Sequence, residues 1–177
     1  MQQVHTQRPQ KLNVWAGILG NHVIGPFFLE GNLNGEAYLD LLENQILPYI
    51  HDVVDHDPDL LHDELIFQQD GAPPHFVPPV RQFLNDQFPG RWIGRRGPIE
   101  WPPRSPDLSP LDFFLWGWLK SKIYTSQTTS LENLRATITR YCSEIPPETF
   151  QNVRAETEAR FYHCMEVNGG HFKHLIK

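Results

Sequence analysis

The sequence predicts an α/β domain with a helical C-terminal tail. Three observations carry that expectation. Leu12, Val14, Ala16 and Ile18 alternate along residues 11–19, the period-two pattern of a strand with a buried face. Leu65-Ile66-Phe67 is a short apolar run that closes at Asp70-Gly71, as a buried strand ending in a turn would. After residue 109 the chain opens successive segments on helix start signals.

The elements follow in order. Gly20-Asn21 is a tight turn, so residues 11–19 and His22 to Glu30 form a hairpin. Asn34 caps a helix whose apolar stripe is Tyr38, Leu41, Leu42, Gln45, Ile46 and Tyr49. His51 to Asp63 is polar and acidic, a frayed helix end and a loop. A buried strand then runs into Asp70, and a helix covers about Pro74 to Phe88 with Pro78 and Pro79 in its first turns. Arg91 to Gly94 is a further strand. Ten of the 16 prolines fall between Pro73 and Pro110, which makes that region mostly stiff connections. Helices start at Ser109-Pro110, at Ser130-Leu131-Glu132 and at Pro146-Pro147-Glu148, the last stopping near Gly169-Gly170. The order is β-β-α-β-α-β-α-α-α, with residues 125–177 as the helical tail.

At 177 residues and 40% hydrophobic content, residues 1–177 suit one domain with a sizeable core. Residues 1–10 are a polar N-terminal segment without the apolar stretch of a signal peptide. No apolar run reaches the length of a membrane span, so no membrane association is expected. Cys142 and Cys164 are too few to staple the fold, which points to a reducing, intracellular setting. The net charge of −6 argues against strong grip on nucleic acid by the whole surface. The charge is uneven, however. Between Arg81 and Arg104 five arginines (81, 91, 95, 96, 104) face Asp86 and Glu100, a balance of +3 that leaves −9 elsewhere.

Two acid-bearing motifs carry the chemistry. Gln68-Gln69-Asp70-Gly71-Ala72-Pro73-Pro74-His75 places Asp70 at the end of a strand, where α/β sheets put ligands. An ordinary role is also open to it, because Asp-Gly marks turns and Asp caps helices. Trp101-Pro102-Pro103-Arg104-Ser105-Pro106-Asp107-Leu108-Ser109-Pro110-Leu111-Asp112 opens a helix. Asp112 also fits a capping box with Ser109, and Asp107 rivals it for any catalytic role; chemistry alone does not choose between them. His163, Cys164, His171 and His174 make poor zinc spacing. Asp55-x-Asp57-x-Asp59 lacks the glycine and the bidentate glutamate of a calcium loop, and His51, His56 and His62 read as surface residues. Trp116 and Trp118, two apart on one helix, cannot both face inward, so one is expected in the core and the other half exposed. No Gly-x-Ser-x-Gly, P-loop or dinucleotide fingerprint supports a small hydrolase or nucleotide-binding domain.

Taken together, Asp70-Gly71-Ala72-Pro73-Pro74-His75 and Ser105-Pro106-Asp107-Leu108-Ser109-Pro110-Leu111-Asp112, followed by Phe113-Phe114-Leu115-Trp116, resemble the catalytic domain of Tc1/mariner transposases. Lys11-Leu12-Asn13-Val14-Trp15-Ala16-Gly17-Ile18 is similar to that family's second strand, and the resemblance runs to about Phe172. It implies a ribonuclease-H-like fold, a mixed sheet flanked by helices, using Mg²⁺ or Mn²⁺ to cut and rejoin DNA. It implies Asp70 and Asp112, rather than Asp107, as catalytic, metal-binding acids, and Arg95, Arg96, Arg104 and His75 as nucleic-acid contacts. Forty-one residues lie between the two acids, and the length in excess of typical members is assigned to residues 88–103. The implied partner is DNA, held weakly; a homodimer is left open, and a nuclear location is expected.

The chain departs from the family at the first acid. Met1 to Leu29 contain no Asp or Glu, and the family's first, central strand has no counterpart. Two arrangements are expected for the slot this leaves: another segment fills it, with residues 1–10 as the candidate, or residues 11–19 and 65–70 approach each other directly. Glu30, Glu36 and Asp40 are the nearest substitutes for the acid. The functional expectation is a transposase catalytic fragment, inactive alone, with a non-catalytic nucleic-acid-binding or protein-interaction module as the alternative.

Overall fold

The computed structural model describes residues 12–103, 105–125 and 130–176. Strands β1 (Asn13–Leu19) and β2 (His22–Leu29) form the expected antiparallel hairpin, in register from Asn13↔Leu29 to Leu19↔His22 with a shift between Trp15 and Gly17. Gly20 turns the chain at φ +57°, a left-handed conformation that costs glycine little.

The hairpin is apolar on both faces because each face is covered. On one side Ala16, with Val14, Ile18 and Phe28, packs on Leu115, Leu119, Ile138 and Phe150 from the C-terminal half. On the other, Ile24, with Trp15, Leu19 and Phe27, packs on Tyr38, Leu41, Leu42 and Ile46. The hairpin is therefore the middle layer of three, and the alternation of Leu12, Val14, Ala16 and Ile18 marks the side facing the tail.

Asn34 caps α1 (Gly35–Leu41), its side chain accepting from the Ala37 amide. The helix continues through a π turn at Leu42–Ile46 into α2 (Leu47–His56). That turn contains one more residue than an α turn, so it rotates the faces of α2 relative to those of α1. From the end of the turn onward the buried residues are Ile46, Ile50 and Val54, while Gln45 and Tyr49, expected in the stripe, are exposed. The helix also runs to His56 instead of fraying at His51.

A second, parallel sheet is built from β3 (Phe67–Gln68), β4 (Trp92–Gly94) and β5 (Ile99–Glu100) in that order. A short 3-10 turn over Pro73–Phe76 and α3 (Pro78–Gln87) connect β3 to β4, splitting the expected single helix at the proline pair. Val80 and Leu84 of α3 and Trp92 of β4 are fully buried in the same core as Tyr38. Strand β3 is shorter and more open than its sequence suggests, with Ile66 exposed. Its other edge explains this.

The two sheets are separate among the described residues, and a cavity of about 1150 Å³ lies between them. Residues 12–19 line one side and residues 65–72 the other. The expected direct approach of these two segments is thus overturned: both keep an edge turned to the cavity. The other expected filler, residues 1–10, lies outside the described residues.

A π turn at Leu111–Leu115 leads into α4 (Trp116–Thr125), followed by α5 (Leu131–Ser143), capped by Ser130, and α6 (Pro147–Glu166). Leu115 and Leu119 take the core positions of this region, which leaves Trp116 and Trp118 both half-buried, contrary to the expected split. Trp101, Leu108 and Phe172 form a third small cluster that fastens the chain's end to the segment before α4.

Candidate metal centre

The backbone amide of Gln69 donates to the Ile93 carbonyl at 2.9 Å, and Asp70 is the first residue beyond that ladder bond. Its Oδ1 accepts from the Ala72 amide at 3.0 Å, so the turn role open to Asp70 in the sequence is real. The same oxygen lies 2.6 Å from His75 Nδ1. Among the described residues, His75 Nδ1 is buried and has no other polar partner than this close contact. The imidazole beside it holds the Asp70 carboxyl below the usual carboxylate range; partial burial opposes this and the Ala72 amide assists. The side chain of Asp70 is 60% exposed and that of His75 only 13%.

A buried relay fixes the loop that carries both. The Tyr38 hydroxyl donates to Gln69 Oε1 at 2.9 Å, and Gln69 Nε2 donates to the His75 carbonyl at 2.8 Å. The Tyr38 ring also stacks on the His75 ring, 4.3 Å between centroids. Burial pushes the Tyr38 phenol far above its ordinary range, so it stays a donor. Sequence reasoning missed this function of Tyr38 and Gln69. The one available signal was Gln68-Gln69, two amides before the acid in a strand, of which one must face inward.

Asp112 is set by a 3-10 turn at Pro106–Leu108 and by the adjoining π turn, with Leu108 and Leu115 buried on either side. Its carboxyl is raised, first by desolvation; the Ser109 hydroxyl opposes this, and the negative charge of Asp70 adds to it. Asp70 and Asp112 line the same cavity between the sheets. Asp107 does not line it. Its carboxylate pairs with Lys173 Nζ at 3.1 Å and its carbonyl accepts from Arg160 at 3.0 Å.

The arginine stripe divides. Arg91 Nη1 binds the carbonyls of His62 and Leu65, at 3.2 and 2.7 Å, and is a structural staple. Arg95 and Arg96 stand over the Phe76 ring, 4.2 and 5.4 Å from its centroid, and Arg95 packs beside Gly71. Arg104 lies outside the described residues. His75 is occupied by Tyr38 and Asp70 and offers little surface.

Of the expected substitutes for a third acid, none lines the cavity. Glu30 pairs with Arg135, Asp40 accepts from Asn44, and Glu36 sits exposed in the first turn of α1. Glu100 does line it, but accepts from the Arg96 amide at 2.9 Å. Among the described residues no three His, Cys, Asp or Glu side chains gather as a metal-holding group, in the zinc-like cluster near residue 164 or elsewhere.

This arrangement has relatives. Over 158 residues, 88% of its length, the chain is 25% identical to the transposable element Tc3 transposase of Caenorhabditis elegans. Its fold matches the Mos1 mariner transposase catalytic domain with a TM-score of 0.78 at 20% identity, covering 96% of this chain and 80% of that one. The chain is thus similar to a Tc1/mariner transposase in sequence and to a mariner transposase catalytic domain in fold. The fold is accordingly ribonuclease-H-like, with Asp70 just beyond β3 and Asp112 in the turn that opens α4. The Mos1 mariner paired end complex with Mn also matches, with a TM-score of 0.72 at 21% identity over 95% of this chain and 48% of that one. Mos1 catalytic domains with raltegravir and Mn or Mg match too, at TM-scores of 0.74 and 0.73. No family profile matches the chain. The chain spans less than half, 44%, of the curated relative. Among the described residues no helix is long and apolar enough to cross a membrane.

Proposed function

We propose that this Tc1/mariner-type domain carries the divalent-metal site of a DNA strand-cleavage and strand-transfer reaction, with Asp70 and Asp112 as its acids. One observation carries the reading: two carboxylates from segments far apart in sequence line one cavity, where the charge of Asp70 adds to the upward shift that burial gives Asp112. Carboxylate oxygens suit Mg²⁺ and Mn²⁺, and a cation relieves the repulsion between the pair. When bound, such a cation stabilises charge on a phosphate and activates the attacking oxygen. His75 keeps Asp70 ionised, the Tyr38–Gln69 relay holds its loop, and Arg95 and Arg96 receive backbone phosphates beside the acids.

Two carboxylates fit one loosely held cation and fall short of a two-metal site. The chain alone is therefore expected to bind metal while cutting DNA poorly. Among the described residues no third ligand gathers with the two acids, Glu100 at the cavity being held by the Arg96 amide, and this also favours a second reading. In that reading the domain is a non-catalytic module that binds nucleic acid or protein. DNA as substrate implies work in the nucleus.

Calorimetric titration with Mg²⁺ and Mn²⁺ tests the site, with Asp70→Asn and Asp112→Asn as controls. Binding by the parent that each substitution weakens at least ~10-fold supports the shared site. Binding that survives both substitutions, or none in the parent, overturns it. Mn²⁺-dependent nicking lost in Asp70→Ala would then separate the enzyme from the module.

A further inference from the structure

We propose that residues 57–64 are a proton-sensitive strap, which protonation of His22 and His62 fastens more firmly between the β1–β2 hairpin and the start of β3. The inference is independent of the metal site proposed above.

The strap is tied to three parts of the fold. At its start Asp57 Oδ2 lies 2.8 Å from His22 Nε2 at the head of β2, and a carboxylate can only accept there. Leu60 packs over the hairpin turn, where a Cβ on Gly20 would lie 3.2 Å from its Cδ2. Further on, His62 Nε2 lies 2.9 Å from Asp55 Oδ1 of α2. At its end Arg91 Nη1, just before β4, holds the carbonyls of His62 and Leu65.

Inside the strap the bonds are short-range. The Asp59 amide donates to Asp57 Oδ1 at 3.0 Å, the Leu60 amide to the Asp57 carbonyl at 3.1 Å, and the Glu64 amide to the Leu61 carbonyl at 3.0 Å. A segment held this way opens locally, without unfolding the sheets on either side. The two histidine bridges therefore set how often it opens.

Charge makes those bridges sensitive to protons. Asp52, Asp55, Asp57, Asp59, Asp63 and Glu64 fall within residues 51–64, which contain no Lys or Arg. Positive charge on side chains of this segment comes only from histidine. Above the imidazole range each bridge is a hydrogen bond from a neutral ring, and below it a full ion pair. Hydrogen bonds from His62 and from His22 hold the Asp55 and Asp57 carboxyls below the usual carboxylate range, so both acids stay ionised while imidazoles titrate. The strap therefore tightens as pH falls through the imidazole range, and loses its bridges only when those two carboxyls are protonated. Two neighbours modify this. The His51 ring stands edge-on to His62, 5.1 Å between centroids, and a charge on it would oppose one on His62. His56 is engaged by Asp52 of its own helix, whose carbonyl lies 2.7 Å away.

Amide hydrogen exchange on the full chain tests the strap, at low salt and at about pH 8 and about pH 5.5, corrected for the intrinsic pH dependence of exchange. The amides of Asp59, Leu60 and Glu64 report the strap, and those of Phe67 and Gln69, which donate to Arg91 and Ile93, report the sheet. Protection at the three strap amides should rise ~3-fold toward the lower pH, the scale of an exposed ion pair, while the sheet amides keep theirs. The larger rise belongs to Asp59 and Leu60, because Asp57 is more covered than Asp55. His22→Gln should abolish the rise at Asp59 and Leu60, and His62→Gln the rise at Glu64, since glutamine keeps a side-chain donor without the charge. About 0.5 M salt should shrink the rise in the parent. Equal protection at the two pH values overturns the proposal. So does a rise that survives in the double variant His22→Gln/His62→Gln. A rise of the same size at Phe67 and Gln69 overturns it too, because that would report the stability of the whole fold.

Discussion

Asp70 and Asp112 are driven in opposite directions by their surroundings, and the sign of each effect makes a prediction. The His75 imidazole lowers Asp70, so its contribution to stability is present above the ordinary carboxyl range and lost as pH falls through the folded-state value. His75→Ala should return the Asp70 carboxyl toward that range, an upward shift visible by NMR titration. The part of its stability loss due to Asp70 should be present at pH 7 and vanish near pH 2. An unmoved Asp70 titration would show that the contact at 2.6 Å has no electrostatic weight. Asp112 is raised, chiefly by desolvation, so folding is favoured below the unfolded carboxyl value and that advantage is lost as pH rises through the folded one. Asp112→Asn should therefore stabilise the metal-free protein at pH 7 and not at pH 2 to 3, read as a small rise in Tm that Mn²⁺ no longer enlarges. The turn and cap positions of the two acids were legible locally, whereas the choice of Asp112 over Asp107 came only from the family resemblance. The role of Tyr38 was not legible. It read as a stripe residue, and its hydroxyl partner Gln69 lies 31 positions away.

Elements were legible where one helix or hairpin decides its own form, and less so where a neighbour decides. The β1–β2 hairpin and the caps at Asn34 and Ser130 are local, and they stand as read. The π turn at Leu42–Ile46 has no periodic signature, so the exposed Tyr49 and buried Ile50 exchange expected roles. Strand β5 was missed because its two residues are ordered by pairing with β4, not by their own pattern. Its approach depends on Gly97, where an added Cβ would lie 2.6 Å from the Trp92 ring. Trp92 is fully buried, and its indole N–H donates to Asn85 at 2.9 Å, so the ring cannot step aside. Gly97→Ala should cost about 1–3 kcal/mol as overpacking, seen as a lower urea midpoint at unchanged slope. A neutral substitution would mean that the loop between β4 and β5 yields more easily than the packing implies.

Across the whole molecule the acid site hangs between a rigid half and a tail that must be fastened to it. Val80, Leu84 and Trp92 anchor the Asp70 side in the larger core. The Asp112 side is tied to the tail by Arg160 of α6, whose Nη1 donates to the Asp107 carbonyl at 3.0 Å and whose Nε donates to Glu156 at 2.8 Å. Its guanidinium also stands 4.2 Å from the Phe113 ring centroid. The side chain is 13% exposed, so these contacts work in a drier setting than a surface ion pair. Only a planar guanidinium makes all three at once, which a lysine at this place cannot do. Arg160→Ala should leave the Asp107 carbonyl unpaired and cost about 1–3 kcal/mol. Arg160→Lys should recover part of that loss. The diagnostic reading is local: amide exchange over residues 106–112 should quicken while the hairpin keeps its protection, since Ala16 and Ile24 hold it from both layers. Mn²⁺ affinity should fall along with that protection, because the position of Asp112 depends on the same segment. Uniformly faster exchange would instead make Arg160 a general support of the fold. Unchanged exchange would mean that Leu108 and Leu115 hold the Asp112 segment without the tail.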